Sequence, residues 1–218
     1  MTTMRPAKHK PEARLTQAER RDRSERELVA AAIRIVAEEG VSAATFETIA
    51  SKAGFSRGLV TQRFGSKDGL IRTVIAYLHE WQGEVLDAGH VAEMDGLSAL
   101  IAFIHLHCDS LRTEVEADAY FMLLAAAVAD RQDTRPAFAE SHEMERVLIR
   151  AFLERGQASG HVRADIDADA EALMTGCSLL GLRMQCLIDP QFDPAPVRDA
   201  LIAALREHLT TRKGRAGR

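Results

Sequence analysis

Five residues near the N-terminus carry groups that can contact the edges of nucleic-acid bases: Arg57, Gly58, Thr61, Gln62 and Arg63. A guanidinium can form two hydrogen bonds with guanine, an amide can do so with adenine, and a threonine methyl can pack on a thymine methyl. The glycine would let the backbone approach closely. On one helix face these residues would distinguish base sequences, although by charge alone the two arginines are equally consistent with solvated surface residues.

Three further residues of this region, Thr45, Thr48 and Lys67, can contact phosphate. The two threonines fall at the start of a predicted helix, and Lys67 follows Ser66, which can cap another. Backbone N–H groups at a helix N-terminus attract anions, and such contacts orient a protein on DNA without specifying sequence. The pattern predicts contacts with a sugar-phosphate backbone; the alternative for Lys67 is that it only flanks a helix start.

Three short helices are needed to position these groups. Leu28 and Ile35 belong to an apolar stripe that ends at Gly40, and a second short helix ends at Gly54. Ser56 can cap a third helix. Helices of this length are not stable alone, so they must pack on one another and leave one face of the third exposed. The last two, joined by a glycine-containing turn, match a helix-turn-helix.

The rest of the chain predicts an all-α protein of about nine helices in total. Aromatic residues are few and residues that favour helices are many. The six further helices are predicted at roughly 67–88, 95–112, 116–130, 136–157, 167–188 and 195–210.

Charge is distributed unevenly along the chain. Residues 1–72 carry 14 Lys and Arg against 9 Asp and Glu, whereas the remaining residues carry 14 against 23. A basic end on an acidic body suggests that one part meets a polyanion. We expect a flexible basic arm over residues 1–23, a helix-turn-helix domain over 24–70, a helical domain over 71–212 and a disordered tail over 213–218.

Several other classes of protein are not supported. The longest apolar run, residues 121–129, is shorter than the roughly 18–20 residues that span a bilayer, and no secretory signal is recognisable, so we expect a cytoplasmic protein. The three cysteines lack CxxC spacing, and His105 and His107 fall on different faces of a helix, so no metal site is expected. Nucleotide-binding glycine patterns and the HExxH and GxSxG motifs are absent, which argues against an enzyme and predicts no cofactor.

The N-terminal stretch resembles the tetracycline-repressor (TetR) family of regulators. The likeness is dense over about residues 25–72, is not recognisable over about 80–160, and is faint from Gly160 to the final amphipathic helix. It is carried by Ala30-Ala31, Glu38-Glu39-Gly40, Thr45, Ile49-Ala50, Ala53-Gly54, Ser56-Arg57-Gly58 and Phe64-Gly65-Ser66-Lys67.

The resemblance implies that the third helix contacts DNA and that the domain over 71–212 binds a ligand and dimerises. It assigns base contacts to Arg57, Gly58, Thr61, Gln62 and Arg63, and phosphate contacts to Thr45, Thr48 and Lys67. Family members often have a tyrosine where this chain has Thr61. Because threonine is shorter, the operator sequence cannot be transferred from the family.

A homodimer formed by the last two helices is also implied, and apolar stripes support it independently. Such stripes are more often intramolecular core, but two in succession at the end of a chain fit an intersubunit four-helix bundle. The expected interface residues are Leu173, Cys177, Leu180, Gly181, Met184, Leu187, Val197, Leu201 and Leu205.

A ligand pocket is implied by the family and indicated by large or adaptable side chains in the predicted helices. Ordinary core packing is the alternative for each of them. The candidates are Trp81, Phe103, His107, Tyr120, Phe121, Met122, Phe152 and Met184.

The sequence thus predicts a homodimeric repressor that leaves an inverted-repeat operator in double-stranded DNA when a small-molecule effector binds. Such release requires only that the effector prefer one conformation over the other. Two alternatives remain open at this stage: a DNA-binding dimer that responds to no ligand, and a helical enzyme or metal-binding protein with an incidental helix-turn-helix.

Overall fold

A computed structural model describes residues 16–110, 115–130 and 133–210. These segments form α-helices joined by short turns and contain no β-strand. Short 3-10 turns, Val41–Ala43 and Val91–Glu93, precede the second and fifth helices. The first four helices are α1 (Gln17–Glu39), α2 (Phe46–Ala53), α3 (Arg57–Phe64) and α4 (Lys67–Ala88). The other five are α5 (Gly96–Ser110), α6 (Val115–Ala129), α7 (Arg135–Ala158), α8 (Ala168–Ile188) and α9 (Ala195–Leu209).

Helix α1 begins earlier than the sequence predicted. The expectation of a flexible arm up to Arg23 is wrong for the residues from Gln17 onward, which are helical. The Thr16 side chain accepts a hydrogen bond from the Glu19 amide, and the Glu19 carboxylate accepts one from the Thr16 amide. This reciprocal capping starts a helix whose first two turns carry no apolar residue larger than Ala18. Residues 1–15 and the predicted tail at 213–218 lie outside the described part of the chain.

The first three helices pack around a compact core. Leu28 of α1, Ile49 of α2 and Val60 of α3 are fully buried there, and Leu70 of α4 is almost so. Gly54 ends α2 in the left-handed conformation, with φ 74°, which a glycine adopts without strain. The turn between α2 and α3 is therefore tight, and α3 is held with one face against α1 and α4.

This first core does not end with the N-terminal helices. It continues along α4 to Leu78 and includes Ala119 and Leu123 of α6 and Phe138 of α7. A second core lies among α5, α7, α8 and α9. Helices α4 and α6 therefore connect the N-terminal domain to the rest of the protein. No helix within the described segments is both long and apolar enough to cross a membrane.

The N-terminus of α5 packs against the C-terminal part of α7 with almost no space between their backbones. A Cβ atom placed on Gly96 would lie 2.1 Å from the Phe152 carbonyl oxygen and 2.2 Å from the Gly156 nitrogen. Backbone atoms cannot move aside as a flexible side chain can. Any side chain at Gly96 would therefore force the two helices apart.

We expect Gly96→Ala to lower the free energy of unfolding by about 3 kcal/mol, because overpacking between backbones cannot relax locally. Urea denaturation monitored by circular dichroism measures this change. Gly83→Ala is the matched control: a Cβ there meets nothing within 4 Å. It should instead stabilise α4 by up to about 1 kcal/mol, since alanine favours helix over glycine. Equal effects of the two substitutions would contradict the packing described here.

Candidate DNA-binding surface and ligand cavity

Helix α3 presents one polar face outward. Arg57, Gly58, Thr61 and Gln62 are all exposed, and we call these four residues the recognition surface. They lie on the side of α3 away from Val60, which is fully buried. The third helix is thus held by its apolar side while its polar side stays accessible.

The side chains of the recognition surface are largely free to meet a partner. The Arg57 Nε atom lies 4.0 Å from a Glu47 carboxylate oxygen, and both side chains are more than two-thirds exposed, so this ion pair is weak. The Thr61 hydroxyl donates to the Arg57 carbonyl at 3.1 Å, which leaves the methyl group as its free part. Among the described residues, none bonds the Gln62 amide.

Gly58 is not required by packing within the protein. A Cβ atom added there would have the Ser56 hydroxyl oxygen, at 3.8 Å, as its nearest contact. The backbone of Gly58 is helical, so no unusual torsion explains the glycine either. Its lack of a side chain therefore matters only for what approaches α3 from outside.

Arg63 differs from the other predicted base-contacting residues. It is half-buried, and its Nη2 donates to the Ser24 hydroxyl of α1 at 3.3 Å. Its Nε atom is buried without a hydrogen-bond partner. In this arrangement Arg63 joins α3 to α1 and does not belong to the recognition surface. The sequence placed it beside that surface because it adjoins Gln62, but one residue is a rotation of about 100° around a helix.

The predicted phosphate-contacting residues lie close together. Thr45 caps α2: its hydroxyl accepts from the Thr48 amide at 3.2 Å, while the Thr48 hydroxyl donates to the Ala43 carbonyl at 2.6 Å. Lys67, at the start of α4, donates to the Val41 carbonyl at 3.4 Å. All three predicted residues are exposed. The helix start of α2 and the ammonium group of Lys67 therefore face the same region of solvent.

The turn that positions Lys67 needs a glycine. A Cβ atom on Gly69 would lie 2.1 Å from the Phe64 carbonyl oxygen, so α3 and α4 approach too closely for any side chain there. The Ser66 hydroxyl accepts a hydrogen bond from the Gly69 amide at 3.1 Å and caps α4. The recognition surface and Lys67 are thus held at a fixed separation.

A cavity of about 740 Å³, including space open to solvent, lies among α4, α5, α6 and α7. Of the predicted pocket residues, Trp81, Phe103, His107, Tyr120 and Phe121 line it. The other three do not. Met122 packs on the first core, Phe152 is buried in the second core, and Met184 is half-buried elsewhere on α8.

The sequence missed most of the polar lining residues. They are His79, Gln82, Ser110, Glu116, Ser141 and Glu145. Their spacing gave no signal, because polar residues between apolar ones on an amphipathic helix ordinarily face solvent. Only knowledge of which faces of α4 and α7 approach α6 would have identified them.

A hydrogen-bonded chain crosses one wall of the cavity. The Tyr120 hydroxyl donates to the Ser141 hydroxyl at 2.7 Å, and the Ser141 oxygen lies 2.5 Å from His79 Nε2. Burial raises the pKa of Tyr120 to about 12 and lowers that of His79. Both side chains are thus neutral near pH 7 and act as hydrogen-bonding groups, not charges.

A second cavity of about 470 Å³, again including space open to solvent, adjoins the first. His107, Phe121 and Glu145 line both. Burial is the main reason why the pKa of His107 falls to about 4, with the neighbouring charge of Arg183 adding to it. Burial likewise raises the pKa of Glu145 to about 7. The partition between the two cavities therefore contains a neutral imidazole and a carboxyl group that ionises near neutrality.

Helix α8 contributes a buried charge that the sequence did not reveal. Arg183 is 0% exposed, and its Nη2 lies 2.5 Å from a carboxylate oxygen of Asp118 on α6. Its guanidinium also lies over the Phe121 ring, 5.6 Å from the ring centre. Its Nε and Nη1 atoms have no hydrogen-bond partner. The ion pair and the ring contact together hold α8 against α6.

The predicted dimer residues are mostly accessible on the subunit surface. Leu173, Cys177 and Gly181 are exposed, as is Val197 on α9. Leu180, Met184, Leu187 and Leu201 are half-buried. The assignment of Leu205 to an interface was wrong: it is only 3% exposed and packs inside the second core. A helix face that fills its own subunit cannot also be offered to a partner.

Other large apolar residues that the sequence did not single out are also exposed. Ile188, at the end of α8, is 72% exposed. Large apolar side chains gathered on a surface usually mark a site of association. Three more large apolar side chains are exposed on α7 and α8: Met144 and Val147 of α7 and Met174 of α8.

Two family models match the chain in sequence. The sequence model for bacterial regulatory proteins of the tetR family matches residues 28–74, and that for the C-terminal part of BetI-type transcriptional repressors matches residues 102–212. No curated protein matches the chain in sequence.

Solved structures with the same fold include TetR-family regulators. One from Rhodococcus sp. superposes with a TM-score of 0.75 at 20% identity, covering 86% of this chain and 100% of the other. One from Chloroflexus aurantiacus has a TM-score of 0.72 at 20% identity, with coverages of 87% and 98%. A transcriptional regulator from Saccharomonospora viridis, in complex with choline, has a TM-score of 0.70 at 20% identity, with coverages of 88% and 100%.

These structural likenesses establish the fold. The two sequence models cover both the α2–α3 region and the C-terminal helices, and the second alone spans half of the chain. The chain therefore belongs to the TetR family of transcription regulators and carries that family's DNA-binding helix-turn-helix.

Proposed function

We propose that the protein is a homodimeric repressor that binds an inverted-repeat operator and is released when a small molecule occupies the cavity between α4, α5, α6 and α7. The observation that carries the proposal is that α6 contacts both the cavity and the core of the N-terminal domain. Tyr120 and Phe121 line the cavity, whereas Ala119 and Leu123 on the same helix are buried in the core of the N-terminal domain.

The two contacts of α6 link the cavity physically to the recognition surface. A helix moves as a nearly rigid body, so displacement of Tyr120 by a ligand also displaces Leu123. Leu123 packs in the same core as Leu28 of α1 and Val60 of α3. Close-packed cores resist gradual deformation, so the N-terminal domain turns as a unit. A ligand that prefers the turned arrangement lowers the affinity for DNA.

A dimer is part of the proposal because one short helix covers too few base pairs for tight specific binding. Two recognition helices related by a two-fold axis can enter successive major grooves about 34 Å apart, which requires an inverted repeat. The exposed apolar side chains of α8, with Leu173 and Ile188 near its two ends, fit such an interface. The solved neighbour that contains choline supports a ligand in this fold.

The experiment that tests the whole proposal is selection of bound sequences from a random DNA pool with the purified full-length protein. An inverted repeat with half-sites one or more helical turns apart is the expected outcome. A set of unrelated sequences would rule the proposal out. Screening small molecules for release of the selected operator then separates a ligand-responsive repressor from a dimer that responds to no ligand.

We expect Gly58→Ala to weaken operator binding by about 2 kcal/mol, because the added methyl group would separate α3 from the groove and cost at least one base contact. The protein itself should not be destabilised, since the site is open and alanine favours helix. Fluorescence anisotropy with labelled operator and a thermal melt measure the two effects. If the variant bound operator as tightly as the wild type, the DNA would not contact α3 at Gly58.

Gln62→Ala should reduce sequence specificity, whereas Lys67→Ala should reduce affinity for any DNA. Loss of the Gln62 amide is expected to cost about 1–3 kcal/mol on the selected operator and little on scrambled DNA, because a base contact confers specificity. Loss of the Lys67 charge should weaken binding to both DNAs and reduce its salt dependence. Titrations at two salt concentrations compare them. Identical profiles would show that one of the two roles is misassigned.

We expect Leu173→Glu to convert the dimer into a monomer. Leu173 is exposed on the subunit, so the variant should fold, but a carboxylate buried without a partner at an interface costs several kcal/mol. Light scattering at micromolar concentration gives the mass. Val128→Glu on α6 is the control, because Val128 is equally exposed and lies outside the proposed interface. Loss of the dimer in both variants, or in neither, would count against this interface.

A further inference from the structure

The charged groups that line the first cavity are all acidic. Glu116 of α6 and Glu145 of α7 contribute carboxyl groups, and no lysine or arginine is among the lining residues that the structure describes. The two histidines of the wall, His79 and His107, have pKa values below the ordinary value because burial disfavours their charged forms. Near pH 7 the cavity therefore offers negative but no positive charge to a ligand.

Glu145 is the carboxyl group that lacks a partner. Within the described segments it makes neither a hydrogen bond nor an ion pair. The adjacent Arg146 is bonded to Glu143 at 2.5 Å and to Asp169 instead. One Glu145 oxygen lies 3.9 Å from the position of a Cβ on Gly176, so the carboxyl group packs against the bare backbone of α8. Ionised carboxylates removed from water are stable only beside a positive charge.

Aromatic rings surround the same space. Trp81, Phe103, Tyr120 and Phe121 all line the cavity, and Tyr120 meets Phe121 edge-on with ring centres 5.1 Å apart. Ring faces attract organic cations, most strongly where water is excluded. The remaining wall suits an alkyl or aryl group; it is formed by Leu78, Val85, Leu86, Leu106 and Ala117.

An anionic ligand finds no comparable partner. The nearest buried cation, Arg183, is not among the lining residues, and its guanidinium is bonded to Asp118 at 2.5 Å. His107, which lines both cavities, has a pKa of about 4 and is neutral. A carboxylate or phosphate placed in the cavity would face Glu145 without compensation.

From these contacts we propose that the effector is an amphipathic organic cation, whose positive group lies against Glu145 and the aromatic rings while its apolar part fills the rest of the cavity. This inference rests on the proposed function and specifies the chemical class of its effector. Glu145 is thereby assigned as the residue that distinguishes cations from neutral and anionic molecules of the same shape.

The test compares three probes of similar length and different charge: hexyltrimethylammonium, octan-1-ol and octanoate. Trp81 is the only tryptophan of the chain and lines the cavity, so its fluorescence reports occupancy. Calorimetry gives the affinities. We expect the cation to bind at least about tenfold more tightly than either other probe, the advantage that a cation gains over aromatic rings beside a carboxylate.

Glu145→Gln keeps the shape of the side chain and removes its charge. The variant should lose about tenfold or more in affinity for the cation and little for octan-1-ol. Glu140→Gln is the matched control: Glu140 is exposed on the same helix and lines neither cavity, so its loss of charge should change the affinity for the cation by less than about threefold. At pH 8 Glu145→Gln should melt no lower than the wild type. Burial raises the pKa of Glu145 and so penalises its ionised form. The folded wild-type protein therefore loses stability as the pH rises toward 7 and this carboxyl group ionises.

The pH dependence of binding gives an independent readout. Because the pKa of Glu145 is about 7 and the cation pairs with the ionised form, affinity should rise by about tenfold between pH 6 and pH 8 in the wild type and stay level in Glu145→Gln. The other titratable or charged groups around it are His79 of α4, His107 of α5, Glu116 and Tyr120 of α6, His142 and Arg146 of α7 and Cys177 of α8.

Four results would overturn the assignment of a cation. They are tighter binding of octanoate or octan-1-ol, no saturable binding of the cation at millimolar concentration, an unchanged affinity in Glu145→Gln, and a cation affinity that falls as pH rises. Operator binding by Glu145→Gln distinguishes a wrong effector class from a wrong proposed function. If the variant and the wild type both bind the selected operator, only the effector class is wrong; if neither binds any DNA specifically, the proposed function itself fails.

Discussion

The burial of α6 is the constraint on which the rest of the structure depends. Residues 121–129 are all apolar, so α6 has no polar face along this run and packs on more than one side, although Val128 near its end stays exposed. Helices α1 and α4 cover the side that carries Leu123, and the cavity lies beside Phe121. The same requirement that buries Leu123 and Ala127 thus brings the N-terminal core and the cavity to adjacent sides of one helix.

Local signals were sufficient to predict most helix boundaries. Thr45 and Ser56 cap α2 and α3 as expected, and Gly54 separates them, because caps and left-handed turns depend on a few neighbouring residues. The start of α1 was missed since Ala18 is the only apolar residue of its first two turns, so periodicity gave no signal. The pair Thr16 and Glu19, at the spacing of a capping box, was the available evidence.

The candidate site could be predicted only where its residues face solvent. The recognition surface follows from the helical spacing of polar residues on α3, one side of which must be buried. The cavity depends instead on which sides of α4, α6 and α7 meet, and that is decided by packing between residues distant in sequence. Ser141 and Glu145 lie in a polar segment of α7 that looks solvated, whereas Phe152, which looked suitable for a pocket, is needed in the second core.

An ion pair with a buried guanidinium limits how the helices can move in the proposed mechanism. Breaking the contact between Arg183 of α8 and Asp118 of α6 would leave the buried guanidinium without its counter-charge, at a cost of about 1–3 kcal/mol, because Asp118 is 43% exposed and water screens the pair. A ligand that moves α6 therefore moves α8 with it, because sliding between them would break the pair. Helix α8 also presents Leu173 on the proposed dimer surface. The same displacement then reaches both the N-terminal domain and the subunit interface, and the separation of the two recognition helices depends on both.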